Sequence, residues 1–133
     1  MLRSIRYGCV LLMCLTIAAC QGGRVEPKRY PVSGTVKLDG QPLSDDGLIY
    51  FKTIATGAID ACNIKAGKYS GNAEAGDRRV EIVVFRVKTV DIDGMKGETQ
   101  ENLIPAKYNS ESTLTAKVTT TGPNQFDFEV LTK

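Results

Sequence analysis

Arg79-Val80-Glu81-Ile82-Val83-Val84-Phe85-Arg86-Val87-Lys88-Thr89-Val90 is the longest β-branched run in the chain. Val80, Ile82 and Val84 fall on one face of an extended segment; Val83, Phe85 and Val87 fall on the other. A strand apolar on both faces is buried on both. The run therefore predicts a β-protein with this stretch as its most buried strand.

Working outward, the same period of two recurs. Val32, Gly34, Val36 and Leu38 alternate with Ser33, Thr35, Lys37 and Asp39, and Asp39-Gly40 is a tight-turn signal. Gln41-Pro42-Leu43 leads through the polar turn Ser44-Asp45-Asp46-Gly47 into Leu48-Ile49-Tyr50-Phe51, apolar on both faces and so a central strand. Residues 53–64 read as a third strand with diffuse ends. Lys65-Ala66-Gly67 turns into the short strand Lys68-Tyr69-Ser70-Gly71-Asn72-Ala73, and Ala75-Gly76-Asp77 turns again. Residues 91–112, punctuated by Gly94, Gly97 and Pro105, read as the longest loop. Two last strands alternate around Leu114, Ala116 and Val118, then Phe126, Phe128 and Val130, with Gly122-Pro123-Asn124 joining them as a hairpin. No stretch past residue 31 has helical periodicity. Seven or so short strands with turns about every ten residues predict an all-β sandwich.

The amino-terminal segment obeys different rules. Arg3 and Arg6 form a positive start, Val10 to Ile17 an apolar stretch, and Ala18-Ala19 the small residues a leader peptidase requires. The stretch falls short of the ~20 apolar residues of a permanent spanning helix. Ile17-Ala18-Ala19-Cys20 resembles the lipobox of bacterial lipoproteins. That resemblance implies cleavage between Ala19 and Cys20, diacylglyceration of the Cys20 thiol and acylation of the new amine. It divides the chain into a signal peptide (1–19), a lipidated tether rich in Gly and Pro (20–31) and a folded domain (32–133). Gln21, rather than Asp, follows the cysteine, which favours the outer membrane, facing the periplasm.

Charge and cysteine content narrow the function. The chain has 17 basic and 15 acidic residues, and without Arg3 and Arg6 the two balance. An even surface with no basic stripe excludes nucleic acid as a partner. Cys9 and Cys14 lie in the leader and Cys20 at its end, leaving Cys62 without an intrachain partner; such a thiol is either buried and inert or a site of intermolecular pairing, and burial is expected. There is no histidine, which removes the imidazole base of serine and cysteine hydrolases and the usual zinc-peptidase ligand set. Asp91-x-Asp93-Gly94 with Glu98 is a weak candidate for a calcium loop, because hard cations want several oxygens from a constrained turn; an exposed acidic turn is the simpler reading. Arg78, Arg79, Arg86 and Lys107 are candidates for holding an anion, and Tyr50, Tyr69 and Tyr108 for stacking on a sugar; solvated ion pairs and core or rim tyrosines are the simpler readings.

Val32-Ser-Gly-Thr-Val-Lys-Leu-Asp-Gly-Gln-Pro-Leu43 resembles the opening of carboxypeptidase regulatory-like domains, which runs Gly-x-Val and then Gly-x-Pro-Leu. The likeness continues at Gly67-Lys68-Tyr69, at residues 75–80 and at residues 102–114. It implies a seven-stranded Greek-key β-sandwich, transthyretin-like (prealbumin-like) or immunoglobulin-like, that accompanies or scaffolds other proteins. The transthyretin-like hydrolases that act on hydroxyisourate depend on histidines and a carboxy-terminal Tyr-Arg-Gly-Ser, which this sequence lacks. The expectation is a non-enzymatic envelope lipoprotein without a cofactor. Its partners would be a membrane, through lipid on Cys20, and another envelope protein met at a sheet edge or at residues 91–112. The alternative is a lipoprotein that binds a small ligand: a glycan, a peptide or a metal.

Overall fold

The computed structural model describes residues 22–23 and 25–133; Ala19, Cys20 and the rest of the predicted leader lie outside them. The described chain is nearly all β. Its strands are β1 (Arg29–Leu38), β2 (Gln41–Pro42), β3 (Gly47–Lys52), β4 (Ile59–Lys65), β5 (Lys68–Glu74), β6 (Gly76–Val83), β7 (Phe85–Ile92), β8 (Met95–Asn102), β9 (Thr115–Val118), β10 (Asn124–Gln125) and β11 (Phe128–Val130). A 3-10 turn, Ala106–Tyr108, precedes β9.

Three of the turns share one conformation. Asp39-Gly40 (φ 50° and 82°), Ala66-Gly67 (49° and 72°) and Asp93-Gly94 (54° and 82°) all have two successive residues with positive φ. That is the type I′ geometry, whose twist matches the strands it joins. Glycine adopts the second position without steric cost. These turns close the hairpins β1–β2, β4–β5 and β7–β8.

The main sheet runs β10-β1-β5-β4-β3-β6-β9, with β2 and β11 also paired to β1. Pairing is antiparallel except where β10 and β11 lie parallel to β1. The sheet must curl, because its two edges are joined by a short piece of chain. Seven strands ~4.8 Å apart span ~29 Å, but the six steps from Val118 at the end of β9 to Asn124 at the start of β10 reach at most ~22 Å. Buried Asn124 fastens the edges together. Its side-chain oxygen accepts from the Thr119 amide at 2.7 Å, and its Nδ2 donates to the carbonyls of Thr119 (3.0 Å) and Pro31 (3.1 Å). Inside the curl Val32, Val36, Ile49, Phe51, Ile64 and Ile82 are essentially dry.

Two sequence motifs meet at one carbonyl. The Tyr69 hydroxyl donates to Phe126 O at 2.6 Å, and the Phe126 amide donates to Ser33 O at 2.9 Å. A Cβ on Gly34 would collide with that same Phe126 carbonyl. Gly34 and Tyr69 therefore seat the carboxy-terminal strands on β1.

Four expectations need correction. The long β-branched run is two strands, not one. It breaks at Val84, beyond which every β7 residue except half-buried Val90 is exposed. Residues 91–112 are not one loop, since β8 occupies 95–102. Gly122-Pro123-Asn124 does not close a hairpin: β9 pairs with β6, and β10 and β11 pair with β1, across the molecule. The first strand begins at Arg29 rather than Val32. Pro31 fits within it because the parallel neighbour joins only at Val32, so no second ladder requires the amide that proline lacks.

Candidate interaction surface

β7 and β8 form a two-stranded sheet of their own, paired from Phe85 with Asn102 out to Ile92 with Met95. Its root is well made. Val84 is fully buried; its carbonyl accepts from the Leu103 amide at 2.9 Å, and its amide donates to the Asn102 side chain at 3.2 Å. The same Asn102 oxygen accepts from the Ile104 amide at 3.1 Å, and Ile104 is buried. Arg86 pairs with Asp45 of the β2–β3 turn at 3.0 Å.

Beyond this root the hairpin stands clear of the main sheet. Phe85, Val87, Ile92 and Met95 are all more than half exposed, Met95 the most at 75%. Neither outer edge is paired with another strand. A two-stranded ribbon with no apolar face covered is marginally stable in water, and open edges template further pairing. Phe85 also joins Leu48 and Val83 of the outer sheet face, with Asn63, around a shallow hollow at the root.

Strand registers locate the hairpin relative to the chain's entry. β1 starts at Arg29 opposite Glu74, the end of β5. Glu26, Pro27 and Arg29 line a hollow together with Thr56 and Ala58 of the β3–β4 loop. The chain thus enters at the end of the sheet that carries residues 53–58. β6 pairs there through Gly76 with Val118, and runs away from it to Val83. The hairpin leaves from the opposite end.

Ionised groups cluster at the entry end. Arg29 pairs with buried Asp60, whose carboxylate holds the guanidinium more firmly charged than usual. The other Asp60 oxygen accepts from the Glu74 amide at 2.9 Å. Buried Arg78 donates to the carbonyls of Glu74, Ala75 and Asp77, which ties up the β5–β6 turn. Burial is the main force raising the Cys62 thiol and the Tyr69 hydroxyl above their ordinary ranges. Cys62 is therefore a neutral core side chain.

The remaining sequence candidates do not converge. Asp91 accepts from the Gly94 amide at 2.9 Å within the type I′ turn, Asp93 occupies that turn, and Glu98 lies across from Thr89 on β8. Among the described residues no three of His, Cys, Asp and Glu are grouped to hold a metal. Arg79 pairs with Glu81 at 3.1 Å and donates to Ser110 O, while Arg86 is committed to Asp45. Lys107 lies over the ring of Tyr108, whose hydroxyl accepts from the Leu131 amide at 3.1 Å. Tyr50 stands under Lys52 on the outer face. Among the described residues no helix is long and apolar enough to cross a membrane.

No family model and no curated protein matches the chain. Among solved structures it is similar to a 9R-lipoxygenase from Cyanothece PCC8801, at 11% identity and a TM-score of 0.37, over 77% of this chain and 16% of that one. A likeness that loose carries no argument about fold or activity.

Proposed function

We propose that this chain is a lipid-anchored protein of the bacterial envelope whose β-module does no chemistry of its own and serves as an interaction or structural element. The curled sheet is, on this reading, a seven-stranded Greek-key sandwich of the carboxypeptidase regulatory-like type, embellished by the β7–β8 hairpin. Cys20 is the acylated first residue of the mature protein, held in the outer membrane on its periplasmic side. The observation that carries the reading is the lipobox-like Ile17-Ala18-Ala19-Cys20 placed directly ahead of an all-β module. Two or more acyl chains anchor stably where a single chain binds reversibly.

What supports an interaction role is the hairpin. It presents apolar side chains and open strand edges at the end of the sheet away from the anchor, where a partner protein in the periplasm can add a strand or cover the tip. Loops and protrusions on a rigid scaffold are where binding residues concentrate.

Two experiments test the two halves. Metabolic labelling with a palmitate analogue should mark the wild-type protein and not Cys20→Ser; label retained on the variant would overturn the anchor. A photo-crosslinking residue at Ile92 should give a discrete adduct in cells, lost when Met95 is changed to Lys, while the same probe at Lys117 gives none. Equal yields from both positions would overturn the hairpin as the contact.

A further inference from the structure

We propose that the entry end of the sheet rests on the bilayer, with the loop Thr53–Ile59, led by Ile54, inserted into the lipid interface. The proposal builds on the lipid anchor at Cys20 argued above. Three observations lead to it.

The first is charge. The β3–β4 loop, Thr53-Ile54-Ala55-Thr56-Gly57-Ala58-Ile59, contains no ionisable residue. Neither do residues 119–123, which join β9 to β10 at the same end. The third turn at this end is followed by Asp77, which faces Lys117 across the β6–β9 register. The opposite end carries Asp39, Asp45 and Asp46 within its turns, whereas beside the turns both ends are charged, with Lys65 and Lys68 at one and Lys52, Asp60, Glu74 and Asp77 at the other. Moving a charge toward acyl chains is costly, and moving a small apolar or hydroxyl side chain is not. The loop suits that move, with the flanking Lys52 and Asp60 left at the level of the headgroups.

The second is the loop itself. Ile54 is 77% exposed and Ile59 52%. The loop pairs part of its own backbone. The Thr53 amide donates to Ala58 O at 2.9 Å, the Gly57 amide to Thr53 O at 2.8 Å, and the Ala58 amide to the Thr56 hydroxyl at 3.3 Å. Backbone groups already paired avoid much of the cost of leaving water.

The third is reach. Cys20 precedes Arg29 by nine residues, a tether of ~30 Å fully extended and ~15–18 Å as a flexible coil. The first strand starts at Arg29 beside the loop, so an acylated Cys20 keeps Ile54 within a short distance of the headgroups. Tethering makes even a weak second contact intramolecular. Contact of this kind orients the sheet upright and points the β7–β8 hairpin away from the membrane.

The chain has no tryptophan, so one introduced residue reports its own surroundings. Full-length acylated Ile54→Trp, purified from membranes and reconstituted in phosphatidylcholine vesicles, should emit to the blue of the same variant carrying Cys20→Ser in buffer. Brominated phosphatidylcholine should quench it. Acylated Met95→Trp, at the hairpin tip, should show neither effect. Mass spectrometry of the same samples reports the acyl chains. If Cys20 is acylated and the indole of Ile54→Trp is no bluer and no more quenched than that of Met95→Trp, the bilayer contact is refuted and the anchor stands. If both variants are quenched, the module lies on its side and the proposal fails. If no acyl chain is present, the anchor falls and the proposal with it.

Discussion

Gly71 on β5 lies against the buried Cys62 of β4, and a Cβ added at Gly71 would run into the Cys62 sulfur. Beyond that sulfur its nearest neighbours are the Cys62 Cβ at 3.4 Å and Cα at 4.0 Å. Gly71 is not among the residues with positive φ, so alanine is compatible with its backbone. The double change Gly71→Ala with Cys62→Ala should therefore be milder than either single change. Gly71→Ala overpacks the site at ~2 kcal/mol and recovers ~0.5 kcal/mol from a stiffer unfolded chain, a net loss of about 1.5. Cys62→Ala removes one buried heavy atom and leaves a small void, also ~1.5 kcal/mol. In the double variant the new methyl fills the void left by the sulfur, and the loss falls to ~0.5 kcal/mol rather than the ~3 of simple addition, a coupling of ~2.5 kcal/mol. Urea unfolding followed by circular dichroism reads this directly. With a slope of ~1.5 kcal/mol/M, each single variant drops the midpoint by about 1 M and the double by about a third of that. Losses that add to within ~0.5 kcal/mol would refute the packing argument.

Three other outcomes follow from the geometry. Removing residues 87–100 and joining Arg86 to Glu101, which face each other in the β7–β8 register, through Asn-Gly should leave the stability of the main sheet unchanged within ~0.5 kcal/mol, because that stretch buries almost nothing; a large midpoint shift would mean that the hairpin supports the fold. Asp60→Asn removes the charge that holds Arg29, so hydrogen exchange should quicken first at Tyr30–Val32 and at the end of β5; protection lost first in β6 and β9 would contradict this. Burial raises the pKa values of Cys62 and Tyr69. Both groups therefore add stability that is complete below their ordinary ranges and falls as pH climbs through and above them, since the unfolded chain releases these protons more readily. Urea midpoints should decline between pH 8 and 11, and less steeply in Cys62→Ala; equal slopes would exclude the thiol.

Local signals were legible in the residues, and long-range pairing was not. The alternation in Val32–Leu38 and the Asp39-Gly40 and Ala66-Gly67 turns depend on neighbours in sequence, and each element stands where those neighbours put it. The break at Val84 depends on something else. Val80 and Ile82 are buried because, beside Phe51 and Ile49 of β3, they face the core inside the curled sheet. Val87 and Ile92 have the same β-branched chemistry and stay wet, because nothing but β8 reaches β7. Apolar alternation reports fitness for a pleated strand, and says nothing of whether a second layer arrives to cover it. A usable signal was present: Asp93-Gly94 is the same turn dipeptide as Asp39-Gly40, and it separates two runs of eight residues. The polar composition of Met95–Asn102 made the second run look like loop, because a strand with no buried face has no apolar alternation to show.

The same distinction governs the functional surface. Catalytic sites announce themselves by residue type, and the missing histidine is visible in one pass along the chain. An interaction surface is defined by position: which end the chain enters, which end the hairpin leaves, and which loops lack ionisable side chains. The uncharged loop Thr53–Ile59 looks like a poor strand when read in sequence. It gains a role only when the register sets Lys52 against Ile59 at the end where Arg29 begins the sheet, with the charged turns gathered at the other end. Under the proposed lipid anchor the two ends are inequivalent, one held near the bilayer and the other free to meet a partner. That asymmetry comes from antiparallel pairing itself. β6 starts beside the entry point and runs to the far end, so whatever is spliced in after Val83 is carried away from the entry point.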